Sequence, residues 1–278
     1  MTRYGMIIDI SKCTGCYNCF TACKDEYWDN DYSPYSAAQP KSGQFWMNLV
    51  KRERGIYPCV KVAYMPLLCM HCDDAPCITA SSGNATYRRP DGIVIIDPRK
   101  ATGQKQLLEA CPYGVIFWNE KKNLPQKCTF CVHRIEQGQI PRCVQACPSG
   151  CLCFGDLTDS TSEISKLLKS NDVETLQAGF KTKPAVYYHD LYKITRYFIA
   201  GTVSFSDNDE CAEGVLVVLD NSKRSLNTVT DNYGQFEFDG LDAGKYTIRL
   251  EFSGYSLKII KIDLKKDCYV GDIALTKV

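Results

Sequence analysis

The stretch CTGCYNCFTAC at residues 13–23 decides what the first half of this chain can fold into. Its cysteines follow the spacing C-x2-C-x2-C-x3-C and are Cys13, Cys16, Cys19 and Cys23. A tight loop with this spacing wraps three thiolates around one [4Fe–4S] cube, whereas the last thiolate, on the helix that follows, reaches a different cube. The stretch therefore predicts iron–sulfur clusters that share ligands with another part of the chain.

Three further cysteine groups follow in the first half of the sequence. CMHCDDAPC at 69–77 supplies Cys69, Cys72 and Cys77, and Ser81 stands where its last cysteine would be. The next group keeps only the end of the pattern, whose positions hold Ala101, Gln104, Leu107 and Cys111. CTFC and CVQACP, separated by an insertion, supply Cys128, Cys131, Cys143 and Cys147. The pattern therefore recurs along the chain, with one group almost emptied of cysteines.

Pairing the outer two groups and the inner two groups predicts three complete ligand sets, because such motifs exchange their last ligand. The first set is Cys13, Cys16, Cys19 and Cys147. The second set is Cys23, Cys128, Cys131 and Cys143. The third set is Cys69, Cys72, Cys77 and Cys111. A further set would need Ser81, Ala101, Gln104 and Leu107, none of which ligates iron well. One set is absent as a whole and the others are complete, which predicts three [4Fe–4S] clusters.

Disulfides and zinc are the alternatives for so many cysteines. The N-terminal MTRYGMIIDI contains no recognisable signal peptide, and disulfides belong mainly to secreted proteins. Zinc sites usually pair two CxxC knuckles rather than use a C-x2-C-x2-C-x3-C run. Iron–sulfur clusters therefore remain the preferred interpretation.

The cysteines and histidines outside these sets receive simpler interpretations. Buried thiols without a ligand role are predicted for Cys59, Cys151, Cys153, Cys211 and Cys268. His71 and His133 lie beside cluster motifs, where packing or a hydrogen bond to cluster sulfur is expected. His189 is expected to be structural.

Charge and hydropathy limit the partners of this chain. The net charge of +1 argues against nucleic-acid binding and against a membrane-surface role. No apolar run approaches the roughly 18–20 residues that a membrane helix needs. A cytoplasmic location is predicted, although export together with a signal-bearing partner stays open.

The fold class is predicted to be α+β in three parts. Residues 1–155 form two ferredoxin-like units with insertions, and one insertion contains the basic, aromatic WMNLVKRERGIYP at 46–58. This stretch is either a solvated strand or loop, or a contact with a partner subunit. Residues 156–199 hold a helix, capped by Ser160 and Glu163, and an extended connection. Residues 200–278 contain seven short apolar segments separated by turn signals, which predicts a seven-stranded β-sandwich.

Several stretches together resemble a known family. The order of the cysteine groups is similar to that of the electron-transfer subunits of the dimethyl-sulfoxide-reductase family of molybdenum enzymes. WMNLVKRERGIYP, CMHCDDAP, DGIVIIDP, CPYGVIFWNE and TKPAVYYHDLY, with the terminal sandwich, resemble one branch, the small subunits of pyrogallol–phloroglucinol transhydroxylases. TDNYGQFEFDGLDAGKYTIRLEFSGY at 230–255 resembles transthyretin-like, Ig-like or carboxypeptidase-regulatory domains. Typical family members carry one cluster more than this chain can bind.

The resemblance implies a heterodimer, and a higher oligomer stays open. The large partner would carry molybdenum on two molybdopterin guanine dinucleotides and would transfer hydroxyl groups between polyhydroxybenzenes. This chain would supply the three clusters and no catalytic residue. Two alternatives remain: the electron-transfer subunit of a catechol dehydroxylase, resorcinol hydroxylase or other molybdenum oxidoreductase, and a stand-alone polyferredoxin.

Overall fold

The computed structural model describes residues 1–169 and 172–278, which form two compact units. The first unit consists of Met1–Lys51 and Ala63–Leu191. The second unit consists of Arg52–Val62 and Tyr192–Val278. The segment 52–62, which the sequence places inside the iron–sulfur region, therefore belongs to the C-terminal unit.

The chain is a mixture of short helices and strands. The described strands are β1 (Tyr4–Asp9), β2 (Asn48–Ile56), β3 (Cys59–Leu67), β4 (Thr86–Arg88), β5 (Val94–Ile96), β6 (Phe117–Asn119), β7 (Leu124–Gln126), β8 (Leu152–Asp156), β9 (Val173–Glu174), β10 (Val186–His189), β11 (Tyr197–Phe205), β12 (Leu216–Asp220), β13 (Ser225–Val229), β14 (Gln235–Leu241), β15 (Gly244–Glu251), β16 (Lys258–Leu264) and β17 (Cys268–Leu275). The described α-helices are α1 (Asn18–Tyr27), α2 (Pro76–Thr79), α3 (Gln106–Ala110), α4 (Val132–Ile135), α5 (Arg142–Gln145), α6 (Glu163–Lys169) and α7 (Tyr192–Thr195). None of the described helices is long and apolar enough to cross a membrane.

A four-stranded sheet in the order β8-β1-β10-β9 forms the centre of the first unit. The apolar run GMII in β1 is buried throughout, and β1 lies inside the sheet between an antiparallel and a parallel neighbour. Met6 is opposite Phe154 on one side and Val186 on the other. The stretch 182–198, expected to be an extended connection, thus supplies an inner strand of this sheet.

Short elements around this sheet carry the cysteine groups. Helix α1 begins after Tyr17, which has a left-handed backbone conformation (φ 61°), and it carries Cys19 and Cys23. Helix α2 begins at Pro76, where a missing N–H costs nothing because the first helical N–H groups have no intrahelical partner. Small paired strands, β4-β5 and β6-β7, separate the motifs. The loops between these elements are therefore held at both ends.

The helix predicted near residue 160 starts later than expected. Helix α6 begins at Glu163, and Ser162 Oγ accepts the Ser165 N–H at 3.2 Å, so Ser162 rather than Ser160 is the cap. Ile164 is buried, whereas Leu167 is exposed. The prediction of the cap was wrong because several serine and threonine hydroxyls compete for the same N–H groups in DSTS.

The C-terminal unit contains seven strands at the seven predicted segments. They form a three-stranded sheet in the order β14-β11-β17 and a four-stranded sheet in the order β13-β12-β15-β16. Burial alternates along β15, and one cluster of buried apolar side chains draws on strands of both sheets, including Ile199, Val217, Phe236 and Ile248. This unit is β-rich throughout, as the period-two pattern predicts.

The tip of the β2-β3 hairpin packs on the C-terminal unit through its basic side chains. Arg54 is buried and donates from two guanidinium nitrogens to the Asp239 carboxylate at 2.8 and 3.0 Å. Lys61 Nζ lies 3.2 Å from the same carboxylate, and the Arg54 guanidinium lies 5.5 Å from the Phe198 ring centroid. The charges of Arg54 and Lys61 are therefore paired inside the C-terminal unit, whereas Ile56 and Tyr57 at the tip of the hairpin are exposed.

Candidate iron–sulfur sites

The first set of cysteines gathers where β1 ends. The loop after β1 turns at Gly15, whose φ of +69° favours glycine. It carries Cys13 and Cys16, while Cys19 follows on α1 and Cys147 follows α5. Burial, together with smaller contributions from the nearby thiols of the other three cysteines, raises the pKa of the Cys19 thiol to about 12. The structure therefore brings together the four thiols of the first set.

The second set lies between α1 and α5. Burial raises the pKa of Cys143 well above the usual thiol value, with repulsion from Cys131, Cys23 and Cys128 as the next contributions. Phe130 N donates to Cys128 Sγ at 3.4 Å. All four cysteines are buried, so they face a low-dielectric interior rather than water.

The third set lines a small internal cavity. Its walls include all four cysteines of the set together with Val94 and Lys127. Burial raises the pKa of Cys72 to about 11 and that of Cys77 to about 12. The N–H of His71 donates to Cys69 Sγ at 3.5 Å. The lone Cys111 thus lies with the group that the sequence pairs it with.

The donor chemistry of these sets fits [4Fe–4S] clusters. The buried thiols of the second and third sets resist ionisation because burial and mutual repulsion both disfavour thiolates, so several can ionise together only around a cationic centre. The first set is more open, since Cys16 is exposed and Cys13 and Cys147 are half-buried. Backbone N–H groups additionally point at sulfur, from Gly15 to Cys13 and from Val115 to Cys111. Such N–H···S bonds stabilise negative charge on a ligand sulfur. The surroundings therefore suit iron-bound thiolates better than free thiols.

Buried side chains and a group of hydrogen bonds fill the positions of the missing set. Ala101 and Leu107 are fully buried, and Leu107 lies on α3, which begins at Gln106. Gln104 Oε1 accepts the Ser82 N–H at 2.9 Å, and Gln104 Nε2 donates to Ser82 O at 3.0 Å and to Lys100 O at 3.1 Å. The volume that a cube would need is thus occupied by side chains and their hydrogen bonds.

The histidines make contacts with aromatic and carboxylate side chains. His71 stacks on Phe130 with ring centroids 3.8 Å apart, and its Nδ1 accepts the Val94 N–H at 3.1 Å. Burial holds the pKa of His71 well below its usual value. His133 Nε2 is 2.8 Å from a carboxylate oxygen of Glu26. The stacking agrees with the packing role expected for these histidines, whereas the described hydrogen bonds of the two rings go to Val94 and Glu26 rather than to sulfur.

Sequence reasoning missed three residues beside the sets. Cys151 is buried, and its hydrogen bond to the Cys13 thiol lowers the pKa of Cys13 to about 6. The Thr182 side chain bonds to the Cys72 thiol. Lys127 adjoins the third set. Lys127 directly precedes CTFC and Cys151 follows Cys147 closely, so their positions in the sequence could have indicated that they lie beside a set. Nothing in the sequence indicated Thr182.

The remaining cysteines are not uniformly buried. Cys59, Cys153 and Cys268 are half-buried, and Cys211 is exposed. The expectation of buried thiols was therefore wrong for Cys211, which follows β11 and pairs with Ser204 in an isolated antiparallel bridge.

Comparison with known proteins identifies the family. Residues 60–157 match the 4Fe-4S dicluster domain, and residues 199–275 match the CarboxypepD_reg-like domain. The pyrogallol hydroxytransferase small subunit of Pelobacter acidigallici is 40% identical over 280 residues, covering 99% of this chain and 100% of that protein. The chain belongs to the family of molybdoenzyme iron–sulfur subunits. This iron–sulfur subunit is thus a 4Fe–4S protein and a non-catalytic part of an enzyme, as the sequence predicts.

Other relatives match a smaller part of this iron–sulfur subunit. A putative iron–sulfur subunit of dimethyl sulfoxide reductase from Halobacterium salinarum is 36% identical, over 68% of this chain and 79% of that protein. A sulfite dehydrogenase subunit of Allochromatium vinosum is 34% identical, over 68% of this chain and 83% of that protein. The match to the Pelobacter protein differs from these two because it extends over almost the entire chain.

Proposed function

We propose that this chain is the electron-transfer subunit of a pyrogallol hydroxytransferase and pairs with a large molybdopterin catalytic subunit. The observation that carries this proposal is the 40% identity over the full length of the Pelobacter small subunit. A stand-alone polyferredoxin is disfavoured, because a freely diffusing carrier has no need of an appended β-rich unit. The hydroxyl transfer itself would take place on the partner, on molybdenum held by two molybdopterin guanine dinucleotides.

We further propose that the chain carries three [4Fe–4S] clusters on the first, second and third sets. Each cluster would accept or release one electron. The residues of this chain would supply thiolates, aim N–H groups at sulfur and exclude water. Conversion of pyrogallol to phloroglucinol with a tetrahydroxybenzene cosubstrate involves no net electron flow, so the clusters would set or restore the starting oxidation state of molybdenum.

The finer architecture is part of the same proposal. Residues 1–155 would correspond to two ferredoxin-like units with insertions, 156–199 to a connection, and 200–278 to a transthyretin-like seven-stranded sandwich. Seven strands in two sheets around one apolar cluster support the sandwich. The exposed Ile56 and Tyr57 at the tip of the β2-β3 hairpin support a contact with the partner. A cytoplasmic location stays a prediction.

Purification of the intact complex tests the proposal. We expect fixed stoichiometry with a molybdenum-containing large subunit and about twelve irons per copy of this chain. About eight or about sixteen irons would contradict the three ligand sets. Recovery of this chain without a molybdenum partner would favour the polyferredoxin.

The assay then separates the transferase from its redox relatives. Pyrogallol should be converted only when a tetrahydroxybenzene is present, and no external electron acceptor should be needed. An absolute need for an electron donor or acceptor at every turnover would instead favour a catechol dehydroxylase or resorcinol hydroxylase. The same iron analysis applies to both outcomes, so the cluster assignment is judged independently of the substrate.

A further inference from the structure

Lys127 is a buried lysine that lies between two of the cysteine sets. It is 2% exposed and directly follows β7. Its Nζ donates to Cys128 O at 3.1 Å and also to Val94 O. The same side chain lines the cavity of the third set. Its position is thus fixed by two carbonyl groups, with its charge directed into the iron–sulfur region.

The charge of Lys127 acts on ligands of both sets. It favours the thiolate form of three cysteines of the third set, Cys72, Cys77 and Cys111. It acts in the same way on Cys128 of the second set. Lys127 therefore acts on three ligands of the third set, whose cavity it lines, and on one ligand of the second set.

No carboxylate compensates Lys127. Across residues 1–169 and 172–278, its ammonium group bonds to carbonyl oxygens and forms no ion pair with Asp or Glu. A buried charge is strongly disfavoured unless an opposite charge lies nearby. A cubane held by four thiolates carries net negative charge, which increases by one on reduction. A cluster on the third set would therefore supply the negative charge that Lys127 lacks.

We propose that Lys127 is the fixed counter-charge of the cluster on the third set and raises the reduction potential of that cluster. A nearby positive charge stabilises the reduced state more than the oxidised state, because the reduced cluster is more negative. We expect a smaller effect on the second cluster, because Lys127 lines the cavity of the third set, whereas it acts on the second set through Cys128. This inference rests on the ligand sets proposed above.

Redox titration of the purified complex tests the role of Lys127. Dithionite supplies the single electron that each cluster accepts, and electron paramagnetic resonance follows the reduced clusters. In Lys127→Met and Lys127→Gln, the ratio of reduced to oxidised third cluster at a fixed potential should fall about tenfold, equivalent to about 59 mV for a one-electron couple. Glutamine can still donate to both carbonyls, so it separates lost charge from lost hydrogen bonds. Lys127→Arg should keep the wild-type ratio within about threefold.

Lys122→Met is the matched control. Lys122 lies on the same β6-β7 hairpin but is exposed and paired with Asp31 at 3.2 Å. Its removal deletes an equal charge where solvent screens it, so all potentials should stay unchanged. Cys111→Ala identifies which signal belongs to the third cluster. If that variant loses no cluster, the proposed ligand set fails, whatever Lys127 does.

The remaining outcomes are equally decisive. Unchanged potentials in Lys127→Gln, with the wild-type iron content, would overturn the proposal. Selective loss of the third cluster in both uncharged variants, with about four irons lost and Lys127→Arg intact, would support it. Loss of every cluster in both uncharged variants would contradict it, because the counter-charge would then not be specific to the third cluster.

Discussion

Gln104 offers a test of what replaces the missing cluster. Its carboxamide bonds at 2.9, 3.0 and 3.1 Å to the backbone of Ser82 and Lys100, and Ser81 Oγ lies 3.4 Å from its Oε1. These bonds join the chain after α2 to the chain before α3. Replacement by alanine should therefore loosen the same two segments that a cluster on these positions would have linked.

The magnitude follows from the bonds that are lost. A net contribution of about 0.5–1.5 kcal/mol for each of the three short bonds gives about 2–4 kcal/mol for Gln104→Ala. For a unit of this size, that loss lowers the melting temperature by roughly 5–12 °C. Gln106→Ala is the matched control, because Gln106 is exposed and makes one bond of 3.4 Å. It should change stability by no more than about 0.5 kcal/mol.

Thermal unfolding at a fixed scan rate, followed by cluster absorbance and circular dichroism, measures the difference. Gln104→Met keeps the length of the side chain, so it separates the lost hydrogen bonds from the lost volume, and it should retain most of the effect. Iron content should stay at the wild-type value in all three variants, because Gln104 belongs to no ligand set. Equal melting temperatures for Gln104→Ala and Gln106→Ala would refute the reasoning.

Other parts of the chain give further predictions. Cys111→Ala should lower the iron content from about twelve to about eight per chain, whereas Cys153→Ala, outside every set, should leave it unchanged, as metal analysis would show. His71 is buried in its neutral form with a lowered pKa, so its contribution to stability is present above the unfolded value near 6.5 and is lost as the pH falls below it. At pH 5.5 the loss in the free energy of unfolding should be about 1.4 kcal/mol. His71→Gln should therefore make the melting temperature less dependent on pH between pH 5.5 and 7.5. An equally steep dependence in the variant would contradict this. Arg54→Met, which leaves the Asp239 carboxylate with the Lys61 ammonium and the Gly240 N–H as partners, should cost about 2–3 kcal/mol of stability. Arg249→Met, which removes a partly exposed ion pair, should cost at most about 1 kcal/mol by the same thermal measurement, and equal losses would argue against a special role for the buried pair.

Much of the cysteine arrangement was predictable because the motif acts locally. The spacing in residues 13–23 places Cys13 and Cys16 on one loop and Cys19 at the start of α1, and Cys23 lies further along the same helix, since a helix displaces successive residues by fixed steps. The pairing of Cys111 with the inner group followed from the exchange rule. The seven C-terminal strands were equally readable, because alternating apolar residues predict a strand that is buried on one face.

Long-range contacts were less predictable. Lys127 and Thr182 are ordinary residues in the sequence, and only the fold brings them to the third set. Arg54 is part of a basic stretch that suggests a solvated or partner-binding surface, yet it is buried against Asp239, which is 185 residues away. No local sequence pattern predicts an ion pair between residues so far apart in the chain, because such a pair forms only where the fold brings the two segments together.

The sequence by itself predicted the chemistry that we propose for this protein: which cysteines bind clusters and which set is missing. It also predicted that a β-rich unit follows. These properties depend on residue type and short spacing, which folding does not change. The tertiary structure alone decided the electrostatic surroundings of the clusters and what occupies the missing site. The charge of Lys127 and the hydrogen bonds of Gln104 act through distances of a few ångströms between segments that are far apart in the sequence. Such proximity arises only when the core excludes water and the chain packs.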